Sequence, residues 1–574
     1  MNFEQEYKRW TEKVTDPELR SELDRLAADD EKRELYFTAP LEFGTAGLRG
    51  VMTAGIGAMN VYTVAQATQG FADYIRQAAP DNMKIVIGYD CRIHSLDFAR
   101  TAASVMAENG VKVFLFDELR PTPVLSFAVR HLGCAAGINI TASHNPKQYN
   151  GYKAYWSDGA QIGPEQAEAI EASIKAADIF DGVKRGDFDR LLGSGMIEYV
   201  GAEVDEAYLA EVLKQRVDPD AIPAVAEELK IVYTPLHGTG YRLIPECLKR
   251  AGLKHLIKVE PQFVIDGSFP TVDFPNPEYP AVFEIGIGLA DESGSDLIIA
   301  TDPDADRTGI MARNKEGRFV TLTGNQVGAL LLEYIATAME AKGPMPEDAY
   351  AIKTIVSTEL VSAICKAHKI TLHNVLTGFK YIGEVIGRYE AEGRGHYLLG
   401  FEESYGYLRG SYARDKDAVV ATLLLTELAA KLKAEGKTLC DAMDDIYARY
   451  GCYREGVDNI YMEGLDGPER MAKLMEILRS DPPKEISGSP VRYIRDYVKQ
   501  TITDLKTGDV QPTNLPVSNV LYFETEADDV TVIRPSGTEP KIKLYYLMHA
   551  DTFEENDRMI AEAKALFKGY VSKV

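Results

Sequence analysis

The chain has 574 residues, 26% of them charged and 45% hydrophobic, the balance of an ordinary folded protein of about four domains. A net charge of -24 leaves no excess of Lys and Arg to neutralise phosphates, which excludes nucleic acid and anionic membranes as expected partners. Six scattered cysteines (91, 134, 247, 365, 440 and 452) form no CxxC and no ligand-like spacing, and the first residues carry no apolar export stretch, so a reduced, cytoplasmic protein is expected.

Residues 2–38 read as charged amphipathic helix, with Pro17 opening a second segment. A glycine-dense loop, Phe43-Gly44-Thr45-Ala46-Gly47-Leu48-Arg49-Gly50, follows; such loops bring backbone N–H groups up to an anion, and Arg49 adds a charge. Strands are expected at 84–89, 111–116 and 133–140, separated by helices at 98–109 and 122–131, a βαβ cadence that implies a parallel sheet. The cadence returns twice, with strands at 229–233, 256–259 and 296–300, then at 351–356, 373–376 and 397–399. The apolar stretch 418–430 is too short to span a bilayer and reads as a core helix. Beyond about residue 440 the pattern changes: largely helical and charged over 464–497, strands at 530–533 and 544–548, and a terminal helix at 553–568. The expected fold class is α/β: three repeated α/β domains with mainly parallel sheets (1–200, 201–318 and 319–445) plus a smaller C-terminal α+β domain (446–574).

Each round ends in a strand that delivers a polar loop. The first is Thr141-Ala142-Ser143-His144-Asn145-Pro146, where Pro146 stops the strand and Ser143 stands at the tip of a tight turn with Lys153 close by. A hydroxyl so placed could accept and hand on a phosphoryl group, although the Ser-x-Asn-Pro motif alone reads first as a turn whose serine bonds its own backbone, and it is the rest of the chain that overturns this. The second is Thr301-Asp302-Pro303-Asp304-Ala305-Asp306-Arg307. Its three alternating carboxylates in an extended loop would turn to one side, and such crowding calls for a hard cation, for which Mg²⁺ fits. An EF-hand is excluded, because its later Gly and terminal Glu are missing. Arg307 would pair with an aspartate or reach a phosphate. The third is Gly400-Phe401-Glu402-Glu403-Ser404-Tyr405-Gly406, in which Glu402 and Ser404 offer acceptors for sugar hydroxyls. Arg414-Asp415-Lys416-Asp417 reads as either a helix-start charge cluster or part of a site. In the fourth domain Arg534-Pro535-Ser536-Gly537-Thr538-Glu539-Pro540-Lys541 combines a guanidinium, hydroxyls, a glycine turn and a lysine, the means of holding a phosphate dianion without a metal. His237 is read as a satisfied turn histidine with no role.

Taken in order, these four loops resemble the phosphoserine, metal, sugar and phosphate loops of the α-D-phosphohexomutase family, over nearly the whole chain. The phrases Gly44-Thr45-Ala46-Gly47-Leu48-Arg49 and Asn145-Pro146-Lys147-Gln148-x-Asn150-Gly151-Tyr152-Lys153 resemble the branch that joins phosphoglucomutases with phosphopentomutases and glucose-1,6-bisphosphate synthases. The Thr377-Gly378-Phe379-Lys380 loop carries Phe where relatives often have Trp. The resemblance implies four domains around one central cleft. It implies that Ser143 carries the phosphoryl group, that Asp302, Asp304, Asp306 and a phosphoserine oxygen hold one Mg²⁺, and that Arg49, Lys153, Arg307 and Lys416 surround that centre, with Lys416 or His144 handling protons. Thr377, Gly378, Lys380, Glu402 and Ser404 would meet the sugar, and Arg534, Ser536, Gly537, Thr538 and Lys541 would grip the phosphate that is not reacting. The implied reaction interconverts α-D-glucose 1-phosphate and glucose 6-phosphate through glucose 1,6-bisphosphate, which also serves as activator. Phosphopentomutase, phosphomannomutase or bisphosphate synthase activity would use the same loops. A phosphatase would need no distant phosphate grip, and a non-enzymatic sensor would not need Ser143.

Overall fold

In the computed structural model, which describes residues 2–462, 466–536 and 541–574, the uncharged runs become strands. The chain packs as two units, residues up to 324 with 379–440, and residues 325–378 with 441–574. In the first unit β1 (Leu48–Val51), β2 (Lys84–Tyr89), β3 (Lys112–Phe116), β4 (Ala136–Ile140), β5 (Tyr149–Trp156) and β6 (Ile197–Val200) form one sheet in the order β1-β5-β4-β2-β3-β6. Its centre is parallel: β2 pairs with β3 and β4, and β3 with β6. Helices Val61–Ala78, Ser95–Glu108 and Thr122–His131 supply apolar residues such as Phe71, Phe98 and Leu125, which are buried with Ile85, Ile87 and Ile138 of the strands.

A second sheet of the same unit contains β7 (Lys230–Thr234), β8 (His255–Lys258), β9 (Leu297–Thr301), β10 (Thr308–Arg313) and β11 (Phe319–Leu322), in the order β11-β10-β9-β7-β8. In the third α/β region, β12 (Ala349–Thr354) and β13 (Thr371–Val375) pair in parallel within the second unit. β14 (His396–Glu402) and β15 (Gly406–Leu408) form an antiparallel hairpin within the first unit. The helix Ala418–Ala434 is almost wholly buried, as expected of residues 418–430. Among the described residues no helix is long and apolar enough to cross a membrane.

The C-terminal domain, in the second unit, is an antiparallel sheet with helices. Its strands are β16 (Cys452–Tyr461), β17 (Glu485–Ile486), β18 (Ser489–Asp496), β19 (Thr501–Asp504), β20 (Val510–Pro512), β21 (Leu521–Thr525), β22 (Val530–Pro535) and β23 (Lys541–Ala550). The path is β16-β23-β22-β21-β18-β19-β20, with β17 on β18. Phe567 of the terminal helix Phe553–Val571 is buried in a core with Phe523, Leu544 and Tyr546.

The expected α/β class with mainly parallel sheets holds, and two expectations about individual segments are corrected. Each loop-bearing strand adds an antiparallel partner at one side, because the chain folds straight back: β5 is antiparallel to β4, β10 to β9 and β15 to β14. The chemically loaded loops are therefore the bends of hairpins. Residues 464–497 are helical only over Gly467–Ser480, and β17 and β18 follow. The N-terminal segment is three helices, Phe3–Lys13, Pro17–Leu26 and Asp30–Phe37, each with a side-chain N-cap from Asn2, Asp16 or Asp29. Trp10, fully buried, packs edge-on against Phe37, Tyr62 and Phe180 and ties these helices to the first sheet's helices.

Candidate active site

Ser143 sits where β4 stops. The Thr141 hydroxyl accepts the Ser143 N–H at 2.8 Å, and Asn145 N donates to Ala142 O at 3.1 Å, so the chain turns within a few residues. Ser143 itself has φ +52, a left-handed conformation that is costly for a residue with a Cβ and persists only where the surroundings enforce it. Its Oγ donates to Asp302 Oδ2 at 2.8 Å and lies 3.1 Å from His144 Nδ1. Burial, and then the charges of Arg307 and Arg49, hold the His144 imidazole well below its ordinary range, so the ring is neutral at neutral pH.

The aspartate loop is a tight turn and not the extended loop that alternation suggested. Asp302 Oδ1 accepts the N–H groups of Asp306 and Arg307 at 3.1 and 2.9 Å, and Ala305 is left-handed with φ +49. The carboxylates still converge: all three residues are buried, and one oxygen from each lies within 4.8 Å of the others. Asp304 Oδ1 and Asp306 Oδ1 are buried with no hydrogen-bond partner among the described residues. Orphaned hard oxygens at this spacing fit a small hard cation. Burial, with Asp306 and Asp304 beside it, pushes the Asp302 carboxyl well above the usual range. Burial penalises Asp304 too, but the Lys153 ammonium at 2.9 Å and the Thr122 hydroxyl at 2.7 Å outweigh it and hold that carboxyl down.

Two lysines serve the same cluster. Lys153, on β5, reaches Asp304 and, at 3.5 Å, Asp306; Lys416 reaches Asp306 at 3.2 Å and Asp415 at 3.1 Å. Burial disfavours the Lys416 charge, but Asp306 and Asp415 prevail and push its pKa up, so it is an ammonium. Asp415 is fixed from behind by Tyr155 and Gln161, and Asp417 caps the helix Ala418–Ala434, so the cluster at 414–417 is at once a helix start and part of the site. The bend between β14 and β15 is stitched to the aspartate loop, because Thr308 N donates to Tyr405 O at 3.0 Å and Arg307 bridges Gly406. Gly406 is required there: a Cβ would lie 2.2 Å from Lys416 Cδ. Glu402 is buried at the end of β14 and interacts electrostatically with Arg307 and Lys416, while Ser404 lies two residues into the bend. Phe379 opens the helix that carries Lys380, and its ring lies 5.7 Å from Lys416 Nζ. Arg49 lies on β1, exposed, and bonds Asn145 Oδ1 at 3.1 Å.

The first unit contains Ser143, His144, Arg49, Lys153, the three aspartates, Arg307, Lys380, Glu402, Ser404 and Lys416. Thr377, Gly378, Arg534, Ser536 and Lys541 belong to the second unit, and Gly537 and Thr538 lie outside the described residues. Arg534 stands directly opposite Lys543 across the β22–β23 ladder. His237 is buried with both ring nitrogens satisfied, by Val264 O and Thr271 Oγ1. Sequence reasoning missed Thr122, which bonds Asp304 through both its N–H and its hydroxyl, and Arg92, whose only signal is its place in Asp90-Cys91-Arg92 after β2.

Three domain descriptions match the chain: "Phosphoglucomutase/phosphomannomutase, alpha/beta/alpha domain I" over residues 40–179, domain II over 206–317 and domain III over 323–450. The phosphoglucomutase of Staphylococcus saprophyticus is 36% identical over 527 residues, covering 92% of this chain and 94% of that protein. A phosphoglucomutase of Staphylococcus aureus (strain MRSA252) is 37% identical over 529 residues, covering 92% and 93%. Among solved structures, parafusin from Paramecium in its open form matches with TM-score 0.66 at 16% identity, covering 94% of this chain and 95% of that one. A phosphoglucomutase/phosphomannomutase family protein of Burkholderia thailandensis matches with TM-score 0.65 at 18% identity, covering 92% and 97%. With three of its domains matched in order and more than a third of its residues shared with curated relatives along most of its length, the chain belongs to the phosphoglucomutase/phosphomannomutase group of the α-D-phosphohexomutase family.

Proposed function

We propose that this chain is a phosphoglucomutase, an isomerase that interconverts α-D-glucose 1-phosphate and glucose 6-phosphate by intramolecular phosphoryl transfer. The observation that carries the reading is the Ser143 hydroxyl held 2.8 Å from Asp302, at the edge of a buried three-aspartate cluster. In the resting enzyme Ser143 Oγ carries the phosphoryl group. The free hydroxyl of the sugar phosphate attacks phosphorus: the new P–O bond forms, the Oγ–P bond breaks, and the sugar's proton passes to Ser143 Oγ. His144, neutral and 3.1 Å from Oγ, is suited to relay that proton. The bound glucose 1,6-bisphosphate then turns, and the reverse step returns its other phosphoryl group to Ser143 while the proton retraces its path. Free glucose 1,6-bisphosphate charges enzyme that has lost its phosphoryl group.

Asp302, Asp304 and Asp306 would hold one Mg²⁺, which when bound neutralises charge on the transferring phosphoryl group. Lys153 and Lys416 supply positive charge to that centre, and Arg307 and Arg49 are assigned to it with them. Glu402 and Ser404 are suited to sugar hydroxyls, and Thr377, Gly378 and Lys380 are assigned to the same sugar. Arg534, with Ser536, Gly537, Thr538 and Lys541, is assigned to the non-reacting phosphate. The domains implied are 1–200, 201–318, 319–445 and 446–574.

Relative rates on glucose, mannose and pentose 1-phosphates, with Mg²⁺ and catalytic bisphosphate, test the reading, and glucose 1-phosphate is expected to lead. Protein purified without phosphatase is expected to carry one phosphoryl group at Ser143 by intact mass and peptide mapping. Ser143→Ala should abolish the adduct and lower turnover by about a thousandfold or more; wild-type turnover in that variant would refute the nucleophile.

A further inference from the structure

A single buried guanidinium holds the main chain of the Ser143 loop. Arg92 Nη2 donates to Ser143 O at 2.6 Å and to Asn145 O, and Nη1 donates to Pro146 O at 2.9 Å and Tyr149 O at 3.0 Å. The arginine is anchored on its other side by Asp90, with Nε 3.3 Å from Oδ2, in a pair whose side chains are wholly buried. Asp90 is itself tied to the helix Ser95–Glu108 through Ser95 Oγ at 2.7 Å. Both peptide groups of Ser143 are therefore pinned, the N–H by Thr141 and the carbonyl by Arg92, which accounts for the persistence of its left-handed φ.

The face of the guanidinium rests on the ring of Phe269, 5.1 Å to its centroid. Phe269 belongs to the region that also carries the aspartate loop, and its ring lies against His237. The turn at His237 presses on the aspartate loop, for Thr239 N donates to Pro303 O at 2.8 Å and a Cβ on Gly238 would lie 2.4 Å from Pro303 Cα. A continuous strut thus runs from the Ser143 loop through Arg92, Phe269 and His237 to the loop bearing Asp302. Among the described residues Arg92 makes no hydrogen bond to Ser143 Oγ or to Asp302, Asp304 or Asp306, so it acts through the backbone.

We propose that Arg92 is the positioning residue that keeps Ser143 aligned with the aspartate loop through both its free and its phosphorylated states; this rests on the phosphoserine reading of the activity. Each turnover changes Ser143 from a neutral hydroxyl to a phosphate dianion beside carboxylates, a swing that pushes on the loop. Arginine remains charged throughout and its planar fork meets carbonyls in fixed directions, which lysine does not reproduce.

The test is rapid-quench single turnover of phosphorylated enzyme with glucose 1-phosphate, in wild type, Arg92→Ala, Arg92→Lys and Phe269→Leu. Misalignment lowers the rate constant of transfer, whereas a fold that is merely weakened lowers the amplitude and leaves the rate constant alone. The rate constant in Arg92→Ala and Arg92→Lys is expected to fall about 10- to 100-fold, with KM for glucose 1-phosphate within about threefold, and Phe269→Leu to fall less in the same direction. If Arg92→Ala does not fold, Arg92→Lys and Phe269→Leu decide. A rate constant within about threefold of wild type in Arg92→Lys, with only the amplitude reduced, overturns the proposal. Wild-type enzyme that transfers nothing to the sugar phosphate overturns the activity itself, and the inference with it.

Discussion

At the scale of single residues, the three aspartates are chemically unlike, although the sequence writes them alike. Asp302 is the carboxyl that burial and its two neighbours push up, so in metal-free enzyme its charge works against the fold. Asp304 is held down by Lys153 and Thr122, so its charge supports the fold. Asp302→Asn keeps an acceptor for the N–H groups of Asp306 and Arg307 while removing the repelled charge. Its thermal midpoint in chelator is expected to equal or exceed wild type, with kcat reduced about a hundredfold or more. Asp304→Asn is expected to lose activity and also about 2–4 kcal/mol of stability, because a buried lysine is left with a weaker partner. Denaturant melts of the two variants in chelator distinguish them, and equal destabilisation of both would contradict the split.

At the scale of elements, the turn between β21 and β22 carries a titrating group. Burial, against the opposing effects of the His549 N–H and ring, pushes the Asp529 carboxyl from 3.8 up to about 6, and its Oδ2 has no partner among the described residues. A carboxyl with a raised folded pKa favours folding below pH 3.8, and that contribution is lost as pH rises through about 6. At pH 7.5 the charged Asp529 therefore costs about 1–2 kcal/mol, allowing for nearby solvent. Asp529→Asn keeps the acceptor for His549 N and should raise the melting midpoint at pH 7.5 while leaving it nearly unchanged at pH 4. A gain of equal size at both values would show that the carboxyl does not titrate as described.

At the scale of the whole molecule, the two loops proposed to handle phosphate belong to different units, Ser143 to the first and Arg534 to the second. A mutase must hold the phosphate at either end of the sugar in turn while the other end meets Ser143, whereas a phosphatase needs only the first loop. In the proposed reaction Arg534, whose register partner across the ladder is Lys543, would supply a charge-assisted contact to the non-reacting phosphate. Arg534→Ala is expected to cost about 1.5–3 kcal/mol in transition-state binding, or roughly ten- to a hundredfold in kcat/KM. It should leave Ser143 open to phosphorylation by bisphosphate at high concentration, and should release more free bisphosphate per turnover. Unchanged kcat/KM with no added leakage would remove the C-terminal domain from substrate handling.

The sequence by itself determined the strands whose residues are apolar on both faces, such as Ala136–Ile140 and Leu297–Thr301, because burial on both sides leaves an uninterrupted run that needs no partner to be read. It also placed Ser143 and the aspartates directly after such strands and Arg534 at the end of another. It did not reveal β5, because Lys153 interrupts the apolar pattern of that buried strand, and a lysine is buried only when carboxylates from elsewhere receive it. Nor did it separate β18 from a helix, since Arg492, Arg495 and Asp496 recur at near-helical spacing on a strand whose register is set by β21. Only the tertiary structure decided that Ser143 meets Asp302 from 159 residues away, that Lys153 bonds Asp304 but lies farther from Asp306, and that Arg92 anchors the reactive loop. Local propensity acts over a few residues, whereas these contacts exist only once distant strands have closed their sheets, and the charge state of each group is then set by which neighbours the closure has buried beside it.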